Sequence, residues 1–207
     1  MKVKRFVLVG AGFWERYQLA AWREAGGVEC VGIYNRTLSK AQALANEFGA
    51  NTTSDNVEEL MDNLQPDFVD TVTDVPTHPT YVSLAAERRI AAICQKPMAP
   101  TLAAAEEMVG ECRRAGVPLL VHENWRWQTP IRALKAELDR QAIGQPFRAR
   151  IDMISGFPVF DNQPFLREAE QFILMDVGSH VLDVARFLFG EVRSICCQTQ
   201  RVAVEVR

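Results

Sequence analysis

Phe6-Val7-Leu8-Val9-Gly10-Ala11-Gly12-Phe13-Trp14-Glu15 carries the chain from an apolar run through a glycine-spaced turn into charged, helix-favouring sequence. Four consecutive apolar residues suit a strand covered on both faces. Glycines at 10 and 12 let the backbone turn tightly and approach a pyrophosphate, whose charge is met by free N–H groups and the positive end of the following helix. A strand, a Gly-x-Gly turn and a helix in that order form the context of a dinucleotide fingerprint. Phe13 and Trp14, just past the turn, are candidates to flank the cofactor. The third glycine is replaced by Glu15, a carboxylate that suits the helix dipole but repels phosphate. An ordinary strand-to-helix turn is the alternative reading of the same residues.

Working outward, the same alternation repeats to about residue 122. Strands are expected at Phe6 to Val9, Glu29 to Tyr34, Asn51 to Thr53, Phe68 to Val72, Ala91 to Gln95 and Leu119 to His122. Helical patterns fall between them, at about Glu15 to Ala25, Ser39 to Phe48, Val57 to Asn63, Tyr81 to Arg88 and Leu102 to Ala115. Asp55 with Glu58 reads as a capping box for the third helix, with Pro66 closing the connection. Strands alternating with helices specify an α/β fold with a doubly wound parallel sheet.

Beyond His122 the run Glu123-Asn124-Trp125-Arg126-Trp127-Gln128 changes the composition. We place a domain boundary there, giving domains 1–123 and 124–207. In the second domain a helix is expected from Pro130 to Gln141, a strand from Phe147 to Ile154, a loop from Gly156 to Pro164 and a helix from Ser179 to Phe189. Val192 to Val206 has strand-like alternation. The chain stops at Arg207 directly after it, so either a partner subunit covers the open edge or the sequence belongs to a longer protein.

At 207 residues the chain has room for one full domain and part of another. Hydrophobic residues make up 48% and charged residues 24%, values of a globular protein with a real core. The formal net charge of −3, without a basic stripe, argues against nucleic acid as main partner. No apolar run approaches the ~18 residues of a membrane span. The start Lys2 to Val9 imitates a signal peptide, but Gly10-Ala11-Gly12 and a charged helix follow without a cleavage site. Five cysteines, none in a Cys-x-x-Cys pair, suit reduced thiols, so the expected location is cytoplasmic.

Several loops at strand ends carry candidate chemistry. After the second strand, Asn35-Arg36-Thr37 stands where an acidic residue would hold a ribose 2′-hydroxyl; Arg36 and Thr37 suit a 2′-phosphate, which favours NADP over NAD. The alternative is a turn and helix cap with Arg36 in solvent. Pro76-Thr77-His78 and Gln95-Lys96-Pro97 follow the fourth and fifth strands, where open α/β sheets bind ligands. Asp176, His180 and Asp183, at i, i+4 and i+7, share one helical face, and carboxylates flanking a histidine suit it to accept a proton near neutral pH. A structural Asp–His pair is the rival. No metal is expected, because His78 and His122 lie in separate segments without ligand spacing.

Taken in order, Val9-Gly10-Ala11-Gly12, Pro76-Thr77-His78, Gln95-Lys96-Pro97 and Asp176-Val177-Gly178-Ser179-His180 resemble the Gfo/Idh/MocA oxidoreductase family. The likeness runs over essentially the whole chain but over only the first half to two-thirds of a family member. It implies a Rossmann domain followed by a shortened α/β domain for substrate binding and dimerisation. It also implies hydride transfer between NAD(P) and a sugar or cyclic polyol, and a homodimer or higher homo-oligomer. Gly10, Gly12, Phe13, Trp14, Asn35, Arg36, Thr37, Pro76, His78, Gln95, Lys96 and Pro97 would contact the cofactor. Lys96, His180 and Asp176 would be catalytic, with His180 as general base, and Trp125, Arg126 and Trp127 would line the substrate pocket. Glu15, and Gln95 in place of the family glutamate, depart from the pattern. They keep open a catalytically silent NAD(P)-binding or assembly subunit, and a redox-neutral use of bound nicotinamide in glycoside hydrolysis.

Overall fold

The computed structural model describes residues 2–168 and 172–200, which fall into two compact units, Met1–His122 and Glu123–Arg207. In the first, β1 (Lys4–Val9), β2 (Val28–Tyr34), β3 (Thr53–Ser54), β4 (Phe68–Thr71), β5 (Ala91–Cys94) and β6 (Leu119–Val121) pair in parallel in the order β3-β2-β1-β4-β5-β6. Helices α1 (Glu15–Ala25), α2 (Leu38–Phe48), α3 (Val57–Leu64), α4 (His78–Glu87) and α5 (Leu102–Ala115) make the crossovers. The order reverses beside β1, so the crevice at the carboxyl ends of β1 and β4 is the place where such sheets take ligands.

Both faces of the sheet are covered, which is why β1 reads as unbroken apolar sequence. Val7 and Val9 pack on one side with Val57, Leu60 and Met61 of α3, Val82 and Ala85 of α4, and Met108 and Cys112 of α5. Phe6 and Leu8 face the other side with Leu19 of α1 and Ala41, Leu44 and Ala45 of α2. Phe6 stacks on Phe68 at 5.0 Å between ring centroids and meets Trp22 at 5.7 Å. The edge strand β6 departs from this pattern, because Leu120 and Val121 are exposed.

The cap of α3 sits one residue later than the sequence suggests. Asn56 is in the extended region, and its Oδ1 accepts the Glu59 N–H at 3.1 Å. Helix formation thus begins at Val57, whose side chain the core requires.

The second unit holds α6 (Thr129–Asp139), a short α7 (Val159–Asn162), a 3-10 turn over Pro164–Glu168, and α8 (Ser179–Phe189), entered through a π turn over Leu174–Gly178. The segment 156–164 is therefore not wholly a loop. Phe147 to Ile154 forms no strand; Phe147 and Ile154 are 99% and 93% exposed. Residues 192–200 form none either, and 201–206 lie outside the described residues. Alternation alone does not make a strand, whose N–H and C=O groups need a neighbour. Among the described residues of this unit no strand supplies one. Among the described residues no helix is long and apolar enough to cross a membrane.

Candidate functional site

The glycine turn is fixed from both sides. Gly10 donates its N–H to the Tyr34 carbonyl at 2.9 Å and has φ +122°, and a Cβ there would stand 2.1 Å from the Val72 carbonyl oxygen. Only glycine fits such a position. Ala11 donates its N–H to Asn35 Oδ1 at 3.1 Å, and Asn35 Nδ2 donates to the Thr37 carbonyl at 3.0 Å. Asn35 thus ties the end of β2 to the turn, as in the alternative reading of this stretch. Thr37 sits at the α2 N-cap without a side-chain cap bond. Arg36 is left outside, 76% exposed at the side chain and 3.8 Å from Asp74. The turn opens at the N-terminus of α1, so the residues present fit the pyrophosphate end of a dinucleotide. Phe13 and Trp14 cluster with Tyr17, a ring the sequence reading passed over, at 5.2 to 5.6 Å.

Glu15 is the exception in this cradle. Its carboxylate is buried and folds back over the turn: Oε1 would lie 2.6 Å from a Cβ on Gly10, and Oε2 3.2 Å from one on Gly12. Burial pushes its pKa up, against hydrogen bonding from the N–H groups of Gly12 and of Glu15 itself.

His78 faces the interior. It is wholly buried, with Nε2 3.0 Å from the Thr73 carbonyl and Nδ1 3.2 and 3.3 Å from the carbonyls of Pro97 and Met98. It clasps the loop that carries half-buried Lys96 and the cis Lys96–Pro97 bond to the end of β4. Pro76 opens a 3-10 turn ahead of it, where Thr77 bonds Thr73 and the Asp74 carbonyl. Burial holds the His78 imidazole below its ordinary value. A histidine favoured neutral in the fold stabilises above its unfolded pKa of about 6.5 and loses that contribution as pH falls toward the lowered folded value. His78→Ala should therefore cost roughly 2–4 kcal/mol at pH 8 and clearly less at pH 5. Denaturant melts at the two pH values check this; an equal cost at both would contradict it.

Gln95 belongs to a polar chain that sequence reading missed. Its Nε2 approaches Gln18 Oε1 at 3.4 Å, while Gln18 Nε2 donates to Asp70 Oδ2 at 2.8 Å and lies 2.9 Å from a ring nitrogen of His122. Trp22 Nε1 also donates to Asp70, at 2.6 Å. Asp70 is fully buried in β4 and its carboxyl is pushed up by burial, with His122 the largest opposing influence. The visible signal was an acid inside an otherwise apolar strand.

In the second unit, the partner of His180 is Glu123, with Nδ1 2.6 Å from Oε1. Glu123 also accepts the Trp125 N–H at 3.1 Å, and the Trp125 ring stacks flat on the imidazole at 4.7 Å and 1°. Of the two carboxylates expected beside the histidine, Asp183 is placed otherwise. Asp183 is taken by Arg126, whose Nε donates at 2.6 Å and whose terminal nitrogen makes a second bond, and the guanidinium lies over Phe187. Arg126 is thereby engaged in holding α8. Asp176 sits in the π turn that runs directly into α8. Trp127 is exposed. With Nδ1–H donated to Glu123, the Nε2 lone pair of His180 is the one suited to receive a proton. Among the described residues no three His, Cys, Asp or Glu side chains come together as metal ligands.

Comparison with known proteins agrees with this architecture. Residues 4–123 match the oxidoreductase family with an NAD-binding Rossmann fold, and residues 131–207 match the GFO/IDH/MocA C-terminal domain. The chain is 46% identical over 202 residues to a D-apiose dehydrogenase of Paraburkholderia graminis, covering 97% of this chain and 54% of that protein. It is 42% identical over 200 residues to the D-apiose dehydrogenase of Rhizobium rhizogenes, covering 97% and 58%. An oxidoreductase from Agrobacterium radiobacter, crystallised with NAD+, L-tartaric acid and magnesium, superposes with a TM-score of 0.96 at 41% identity, over 99% of this chain and 60% of that one. The chain thus spans little more than half the length of these curated relatives. By its matched domains and its fold, it belongs to the Gfo/Idh/MocA oxidoreductase family.

Proposed function

We propose that this protein serves an NAD(P)-dependent dehydrogenation of a small sugar, with an aldose of the D-apiose type as first candidate and cyclic polyols next. The observation that carries the reading is buried His180 beneath the Trp125 ring with Nδ1 2.6 Å from the partly buried Glu123 carboxylate, a contact that would leave Nε2 as proton acceptor. Likeness to two D-apiose dehydrogenases over nearly the whole chain supports the substrate class. The bound dinucleotide would supply the hydride acceptor. Around it, the chain's own residues bind and steer. In the first unit the Gly10 to Gly12 turn would take the pyrophosphate and Lys96 would contact nicotinamide and substrate; in the second, His180 Nε2 would receive a substrate hydroxyl's proton while Glu123 stabilises the imidazolium. Asp176 remains a proposed substrate contact. Self-association as a homodimer or larger oligomer is part of this reading, and exposed Phe147 and Ile154 support it.

Incubation with NAD+ or NADP+ and D-apiose, then with other aldoses and polyols, tests the proposal through the absorbance of reduced nicotinamide. Dinucleotide binding with no turnover on any of these substrates would instead favour a silent nucleotide-binding subunit, a reading supported by Glu15 over the turn.

Preference for NADP over NAD rests on Arg36, the exposed guanidinium at the end of β2. Arg36→Ala should weaken NADPH binding roughly tenfold or more while leaving NADH unchanged. Equal effects on the two in a fluorescence titration would remove Arg36 from the 2′-phosphate.

A further inference from the structure

We propose that Glu15 is a resident occupant of the pyrophosphate site, whose carboxylate must leave or take up a proton from solvent before a dinucleotide can bind. The inference rests on the dinucleotide reading above and adds a control to it. Its basis is geometric. A side chain at the first residue of a helix has every opportunity to reach solvent, yet Glu15 is only 4% exposed. It turns instead over the space that Gly10 and Gly12 leave open, with its oxygens 2.6 and 3.2 Å from where their Cβ atoms would be. The Gly12 and Glu15 N–H groups that it engages belong to the anion-binding end of α1, the donors suited to a phosphate oxygen.

A carboxylate and a pyrophosphate are both anions, and two anions cannot share these donors at contact distance without one of them moving or being neutralised. The surroundings favour neutralisation. The charged groups that act on Glu15 most are Asp70 from β4 and Asp74 from the loop after it, both acidic. Of the arginines close by in the chain, Arg16 pairs with Glu47 of α2, and Arg36 is exposed with its guanidinium 3.8 Å from Asp74. Burial already pushes the Glu15 carboxyl toward its protonated form, and an arriving pyrophosphate adds to that push. Affinity for the dinucleotide should therefore fall as pH rises, since ionised Glu15 is the competitor.

The test is titration of the whole chain, wild type, Glu15→Gln and Glu15→Ala, with ADP-ribose, NADH and adenosine at pH 6 and pH 8. A carboxyl whose pKa differs by about one unit between free and bound protein changes affinity about tenfold. At pH 8 both variants should bind ADP-ribose and NADH about tenfold tighter than wild type, with a narrower gap at pH 6. Adenosine, lacking phosphate, should bind all three proteins alike. Wild type that binds as tightly as the variants, with the same pH dependence, would overturn the inference and leave the dinucleotide reading standing. Failure of all three proteins to bind either pyrophosphate-bearing ligand would overturn both together.

Discussion

Gly10→Ala is expected to lower the melting temperature by roughly 6–12 °C and to abolish dinucleotide binding. The methyl would be placed 2.1 Å from the Val72 carbonyl oxygen and 3.0 Å from its carbon, at a φ of +122° that L side chains rarely adopt. The obstacle is backbone at the end of the central strands, so relief requires β1 or β4 to shift. A cost of about 3 kcal/mol follows for strain and overlap together, and each kcal/mol is worth roughly 2–4 °C in a chain of this size. Gly32→Ala is the contrasting control. A Cβ there would also meet an atom at 2.6 Å, but that atom is the terminal Cδ1 of Leu64, which can swing aside. A cost of about 1 kcal/mol is expected for it. Calorimetry on the two variants separates these cases, and equal melting temperatures would show that the turn yields more than its geometry allows.

On the proposed sugar dehydrogenation, His180→Ala should reduce kcat by roughly 10²–10⁴-fold, the usual contribution of a positioned general base. Dinucleotide affinity should change little, whereas loss of the buried, stacked ring should cost roughly 1–3 kcal/mol of stability, so kcat is read well below the melting temperature. Glu123→Gln is the more discriminating variant. Its amide can turn an NH2 group toward Nδ1, which puts the ring proton on Nε2 and removes the acceptor; a loss of roughly 10²-fold or more in kcat is expected. A merely structural Glu123 would raise KM or lower stability instead, because it also accepts the Trp125 N–H. Turnover surviving in both variants would transfer the proton-accepting role away from this pair.

The Rossmann half of the molecule was legible in the sequence because its signals are local and mutually consistent. Phe6 to Val9 could be buried on both sides only by crossover helices, and the boundaries of α1 and α5 follow from their flanking turn and cap residues. What eluded the sequence depended on neighbours distant along the chain. Glu123 lies 57 residues from His180, whereas Asp176 and Asp183 stood close by in sequence and drew the assignment. Asp183 was instead claimed by Arg126, a partner that helical spacing cannot reveal. Gln18 gave no sign that it would bridge Asp70, His122 and Gln95, since a single polar residue on an exposed-looking helix is unremarkable. In the second unit, the alternation of Phe147 to Ile154 described a strand's faces correctly as a pattern, but a strand needs hydrogen-bonding neighbours that no pattern supplies.

The buried His78 clasp has a consequence for how the first unit opens. Packed between the Thr73 carbonyl on one side and those of Pro97 and Met98 on the other, and as a neutral ring donating to one side at a time, the imidazole couples the loops after β4 and β5 into a single cooperative element. Such an element yields as a whole rather than fraying loop by loop. Lys96 therefore shares the opening free energy of a fully packed core histidine, although it sits on a loop.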